Sequence, residues 1–220
     1  KKNKYILVAS KDNDAALDVM DRIRFSYEEL PEWIKPGCIY FNKHELAFDN
    51  KSTIKSSATT ENTGRGRSIS LLMLDELAFV KREFQEGMWA SLAPTLSTGG
   101  KCIITSTPNT ETDKFGKLWF DSQKTLDDNG FPYPNGVGKN GFKGLIYRWD
   151  CHPKRDAAWA EDEMRKSGES AFRREYNCEF ITFQETLIDP IVLSSIKKNS
   201  TRSFMGSTGK IRWYNKLRPG

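Results

Sequence analysis

The sequence predicts an α/β protein built on a mostly parallel sheet with helices on both faces. Two observations predict it. Short apolar runs that do not alternate ("KYILVAS", "SISLLML", "KCIIT") are separated by stretches with helical periodicity, and strands buried on both faces read this way. Each run also ends in polar or charged residues. In such sheets ligands bind beyond the carboxyl ends of the strands.

Taken in order, residues 4–10 read as a buried strand, followed by a helix that begins near Asp12 or Asn13. Ala16, Val19, Ile23, Tyr27 and Leu30 mark one face of that helix, and Pro31 stops it. Residues 38–58 ("CIYFN", "ELAFDN", "STIKSSA") predict a short meander or hairpin turning at Asp49-Asn50-Lys51. The polar loop "TTENTGRGRS" leads into a strand over 70–75. Phe84, Met88, Leu92 and Leu96 then predict a helix ending at Gly99-Gly100. "KCIITSTP" predicts a second buried strand ending in hydroxyls. A helix around 112–124 follows, then a loop rich in Gly, Pro and Asn (128–141), a strand over "KGLIYRW", and two helices within 154–177.

The chain has 220 residues and a net charge of +5. Seven basic residues and no acidic one lie between Ile191 and Gly220. These exceed the whole net charge, so the preceding residues are net acidic and the body is no general polyanion binder. The tail reads as a solvated linker, with nucleic-acid contact as the alternative. No apolar run approaches the roughly 18 residues that would read as a membrane span. Cys38, Cys102, Cys151 and Cys178 share no metal-ligand spacing, and His44 and His152 are the only histidines. Free thiols in a reducing compartment suit that pattern better than zinc. Trp33, Trp89, Trp119, Trp149 and Trp159 read as packing anchors rather than base-stacking platforms. Arg173 and Arg174 read as a helix surface from which one could approach a phosphate.

The chemistry concentrates in "SISLLMLDELAFV" (68–80). An apolar strand that ends in Asp75-Glu76 has the Walker B pattern of P-loop ATPases. There the first carboxylate serves Mg²⁺ and the second the water that attacks the γ-phosphate. One helix later, "IITSTPN" (103–109) brings Thr105, Ser106, Thr107 and Asn109 to the same sheet edge, where hydroxyls can sense that phosphate.

These blocks resemble the large subunit of the tailed-bacteriophage terminase, the motor that packages DNA into procapsids. The resemblance rests on "GRGRSISLLMLDELAFV", "MWASLAPTLSTGGKCIITSTPN", "FRREYNCEF" and the opening "ILVASKDNDAALDVMDRI". It runs from about residue 4 to 190. It implies a P-loop NTPase fold of the RecA-like class and an ATP hydrolase that uses ATP and Mg²⁺ to move viral double-stranded DNA. Asp75 would be the metal-associated acid and Glu76 the catalytic carboxylate. Thr105, Ser106 and Thr107 would be the coupling motif, and Arg65 an arginine finger. Expected partners are DNA, portal protein, the small terminase subunit and further copies in a ring, with no membrane, in the host-cell cytoplasm. The chain departs from the family in one respect: G-x-x-x-x-G-K-[ST] appears nowhere. Residues 1–190 are therefore expected to be an ATPase domain truncated at its N-terminus, with its phosphate loop upstream of Lys1 and inactive alone. Residues 191–220 would be a basic linker toward a nuclease domain. A helicase-type translocase, a DNA-binding scaffold and a nuclease built on Asp75 and Glu76 are the alternatives.

Overall fold

A computed structural model describes residues 2–97, 99–180, 206–208 and 211–213. The chain divides into two units, Lys1–Ile181 and Thr182–Gly220. The first unit holds a six-stranded sheet made of β1 (Tyr5–Ser10), β2 (Cys38–Phe41), β3 (Glu45–Phe48), β4 (Thr53–Ala58), β5 (Leu71–Asp75) and β6 (Lys101–Thr105). Its order is β2-β3-β4-β1-β5-β6. β1 runs parallel to β4 and β5, and β5 runs parallel to β6. β2, β3 and β4 form the expected antiparallel meander.

Five helices accompany these strands among the described residues: α1 (Asn13–Glu28), α2 (Arg82–Leu92), α3 (Lys114–Gln123), α4 (Ala157–Ser167) and α5 (Glu169–Glu175). Three of them start at an Asp whose side chain accepts from a first-turn backbone N–H: Asp12 from Ala15, Asp113 from Gly116 and Asp156 from Trp159, each at 2.8 Å.

Strand register sorts the core into two layers. Leu7, Ala9, Leu72, Leu74, Cys102 and Ile104 line one face, and they pack under Met88 and Leu92 of α2 and Phe115 and Leu118 of α3. Val8 and Leu46 lie on the other face, which α1 covers with Ala16 and Met20, all four buried. α1 contacts β4 and β1. Beyond β1 this second face is open: Ile103 is 49% exposed, and Lys101 and Thr105 are exposed. Coverage of both faces, as expected from the sequence, is therefore complete only on the α2–α3 side.

Three expectations need correction. The helix predicted to reach Leu96 leaves α geometry after Leu92 and finishes as a 3-10 turn, Ala93–Leu96, because Pro94 has no N–H to donate. "KGLIYRW" forms no strand among the described residues. Its approach is fixed on α3 instead: Asn140 Nδ2 donates to the Leu118 carbonyl at 2.7 Å, and a Cβ on Gly144 would collide with Gln123 and Ser122. Trp33 is 85% exposed and is no packing anchor. Trp89 instead meets Phe142, and Trp149 and Trp159 join Phe172 and Tyr176 in one aromatic cluster.

The expected linker lies almost wholly outside the described residues. Within the second unit, β7 (Gly206–Thr208) and β8 (Ile211–Trp213) pair as an antiparallel hairpin.

Candidate functional site

β5 is interior and parallel to both neighbours, so its carboxyl end opens where β1 and β6 also end. Asp75 pairs in register with Thr105. The Thr105 hydroxyl donates to Asp75 Oδ1 at 2.7 Å. Beyond Asp75 the chain turns sharply: Glu76 takes φ 54°, ψ 40°, and Leu77–Phe79 make one 3-10 turn. A left-handed conformation in a residue with a Cβ stores strain of about 1 kcal/mol. Such strain gathers at functional sites.

The loop after β6 clamps that turn. The Ala78 N–H donates to Ser106 Oγ at 3.1 Å, and Asn109 Nδ2 donates to the Ala78 carbonyl at 3.3 Å. Ser106 Oγ in turn donates to the Thr107 carbonyl at 2.9 Å. Deeper down, the buried Gln85 links the turn's exit to α3: its Nε2 donates to the Val80 carbonyl and its Oε1 accepts from the Lys114 N–H. The Ser106 and Asn109 bonds tie the loop after β6 to the turn that follows Glu76.

Burial raises the Glu76 carboxyl above its ordinary range. The negative charges of Asp75 and Glu175 add to that rise, and Lys11 opposes it. Lys11 and Arg174 both approach the Phe79 ring, at 5.8 and 5.9 Å from its centre, and Arg174 Nε also donates to Glu175 Oε1 at 2.8 Å. Sequence reasoning did not assign Lys11 or Glu175 to the site. Lys11 had a usable signal: it follows β1 directly, and the Ala9–Leu74 register sets it level with Glu76. Glu175 arrives on α5 from far along the chain, and no local pattern announces it.

The fold thus brings together Asp75, Glu76, Thr105, Ser106 and Thr107. Arg65 is not among them. It is exposed on the loop between β4 and β5. Its neighbours Gly64 and Arg67 lie against Leu7, Ile69 and the Tyr5 ring, where β1 and β5 begin rather than end. The cluster's donors are hard oxygens, a carboxylate beside a hydroxyl. That set fits Mg²⁺, which keeps several waters and takes few protein ligands. An apolar trough of about 610 Å³ adjoins it, between β6 and residues 142–147.

The sequence matches no family model. The fold, however, is that of solved ATPase domains of phage large terminases. The Thermus phage P74-26 large terminase ATPase domain superposes with a TM-score of 0.63 at 19% identity, over 82% of this chain and 78% of that one. The large terminase of bacteriophage HK97 gives 0.56 at 15% identity, over 94% and 45%. The large terminase of a thermophilic bacteriophage, solved in complex with ADP, gives 0.53 at 12% identity, over 81% and 41%. The chain spans less than half the length of these last two proteins.

Proposed function

We propose that this chain is part of the ATPase motor of a phage terminase large subunit, in which ATP hydrolysis drives viral double-stranded DNA into procapsids. One observation carries the reading. A carboxylate held by a neighbouring strand's hydroxyl (Asp75–Thr105, 2.7 Å) is followed at once by a half-buried carboxyl on a left-handed turn, all at the open end of a parallel sheet. The likeness of fold to terminase ATPase domains, one of them solved with ADP, supports it.

In this reading Asp75 and Thr105 would hold Mg²⁺ through oxygen and water. The ion, when bound, neutralises charge on the nucleotide's terminal phosphates. Glu76 orients the attacking water and accepts its proton, a task suited to a carboxyl whose affinity for protons burial has raised. Ser106 and Asn109 relay phosphate loss, because they grip the turn that aims Glu76. Arg65 is exposed on the loop before β5 and makes no contact with Asp75 or Glu76 among the described hydrogen bonds and ion pairs. It acts on a neighbouring subunit's ATP in a ring, where a guanidinium can offset charge developing on the transferred phosphoryl group. Portal protein and the small terminase subunit are the partners such a motor requires, in the host-cell cytoplasm.

The test uses the full-length polypeptide. Glu76→Gln should bind Mg²⁺-ATP yet lose DNA-stimulated turnover by several orders of magnitude. Retained turnover would sink the catalytic assignment. Mixing Arg65→Ala subunits with Glu76→Gln subunits should restore part of the activity, since some interfaces then hold both groups. No recovery in co-assembled rings would return Arg65 to a structural or cis role.

A further inference from the structure

We propose that Gln85 is a positioning residue: from the buried side of α2 it fastens the turn that follows Glu76 to the start of α3, and so sets where the Glu76 carboxyl points. The inference deepens the nucleotide-site reading above and rests on it.

The sequence carries the first sign. α2 turns Gln85, Met88 and Leu92 toward the core, and all three are buried. That spacing marks one helix face, and an apolar side chain would be expected at its first position. A buried amide costs free energy unless its polar atoms are bonded. Gln85 is bonded at both ends. Its Nε2 donates to the Val80 carbonyl at 2.8 Å, and its Oε1 accepts from the Lys114 N–H at 2.9 Å. A carbonyl only accepts and a backbone N–H only donates, so a single orientation of the amide serves both partners. An apolar residue of the same size could fill the space but would join nothing.

The partners give the second sign. Val80 closes the 3-10 turn, and its own N–H donates back to the Leu77 carbonyl at 3.2 Å. Lys114 is the first residue of α3, and first-turn N–H groups have no partner within their own helix. Asp113 takes the Gly116 N–H, and Gln85 takes the Lys114 N–H. Ser106 and Asn109 already hold the turn at Ala78. A second hold at Val80 pins the turn at two points, and Glu76 is the residue that opens it. A segment pinned once can pivot; pinned twice, it has a direction.

The other described bonds between the starts of α2 and α3 are exposed. Arg82 donates to Thr112 Oγ1 at 2.5 Å, and Glu86 pairs with Lys114 and Lys117 at 2.8 and 2.9 Å. Water competes for such contacts, and exposed ion pairs are worth little. Water cannot readily replace the buried Gln85 amide, so its loss leaves the Val80 carbonyl and the Lys114 N–H short of a partner.

The full-length polypeptide carrying Gln85→Met tests this, since Met keeps the volume and loses both bonds. Amide exchange without nucleotide comes first. Peptides covering 76–81 should exchange at least about tenfold faster than in the wild type, with 71–75 unchanged. In DNA-stimulated turnover kcat should fall about ten- to hundredfold while KM for ATP stays within about twofold, because the misaimed group acts on the attacking water and does not hold the nucleotide. Lys114→Pro is the second variant. Proline suits the first position of a helix and removes the N–H that Gln85 accepts, so the same split should appear. Combined with Gln85→Met it should add little, since both break one link. Glu86→Ala breaks only the exposed pairs and should leave kcat unchanged. Unchanged exchange at 76–81, kcat and KM that move together, or a loss in Glu86→Ala as large as in Gln85→Met overturns the proposal. Protection lost at 71–75 as well would make Gln85 a general core residue and also overturns it. Faster exchange at 76–81 in a protein whose Glu76→Gln variant keeps its turnover would leave the fastening in place and remove the nucleotide-site reading.

Discussion

At the scale of the residue, Glu76 carries two costs, a left-handed backbone and a half-buried charge. Each gives a prediction. Glycine takes φ 54° without a Cβ penalty, so Glu76→Gly should stabilise the fold by about 1 kcal/mol in urea denaturation while abolishing catalysis. Equal or lower stability would mean that side-chain contacts outweigh the strain. The second prediction concerns pH. Burial places the folded-state pKa of Glu76 above the ordinary 4.5. Between those two values the folded state holds the extra proton, so wild-type stability falls as pH rises through that window. Glu76→Gln has no such loss. The two proteins should be nearly alike at pH 4, and at pH 7 the Gln variant should be the more stable, by at most about 1 kcal/mol because the side chain is partly solvated. A wild type that is more stable at pH 7 would show that Lys11 outweighs burial. The Asp-Glu pair was legible in sequence because an apolar run led straight into it. The strained turn and the Lys11 contact were not, since both depend on which strand lies beside β5.

At the scale of the element, the site depends on two loops holding each other. Ser106 satisfies the N–H of buried Ala78, and Ser106→Ala leaves that donor without its partner. The cost should be about 1 kcal/mol. In the full-length polypeptide the same change should lower turnover with little effect on ATP affinity, because it loosens the turn that aims Glu76 and leaves the Asp75–Thr105 pair intact. A change in affinity alone would place Ser106 in binding rather than relay. Gly168 is a second pivot. It joins α4 to α5 at φ 83°, ψ 152°, a conformation open essentially to glycine. Gly168→Ala should cost about 1–3 kcal/mol although nothing crowds the site, and thermal denaturation would read it. Strands and helices with clear periodicity were legible at this scale. "KGLIYRW" was misread because its apolar residues look like a strand's, while close approach at Gly144 and the Asn140 bond commit it to α3. Periodicity cannot register a contact of that kind.

At the scale of the whole molecule, the parallel sheet and the common end of β5 and β6 were foreseeable from chain order. The one-sided helix cover was not, because α1 and α2 have similar periodicity and only topology assigns them to faces. The 220-residue chain alone should not turn over ATP above background, although it carries Asp75, Glu76 and the Thr105–Thr107 loop. Phosphoryl transfer is mainly positioning and charge neutralisation, and a phosphate loop supplies both through backbone amides and a lysine. This sequence contains no such loop. Without one, Asp75 has no triphosphate to share a metal with and Glu76 no fixed phosphorus at which to aim water. A monomer would also lack a neighbour's Arg65. An arginine finger is typically worth about 10³–10⁵ in rate, or roughly 4–7 kcal/mol. Exposed Ile103, beside an edge of β6 that pairs with no other strand among the described residues, should further make the chain self-associate as its concentration rises. Steady-state ATPase of the purified chain beside its Glu76→Gln variant decides the matter. Turnover that is present in the first and abolished in the second would mean that residues 1–220 already hold the phosphate site.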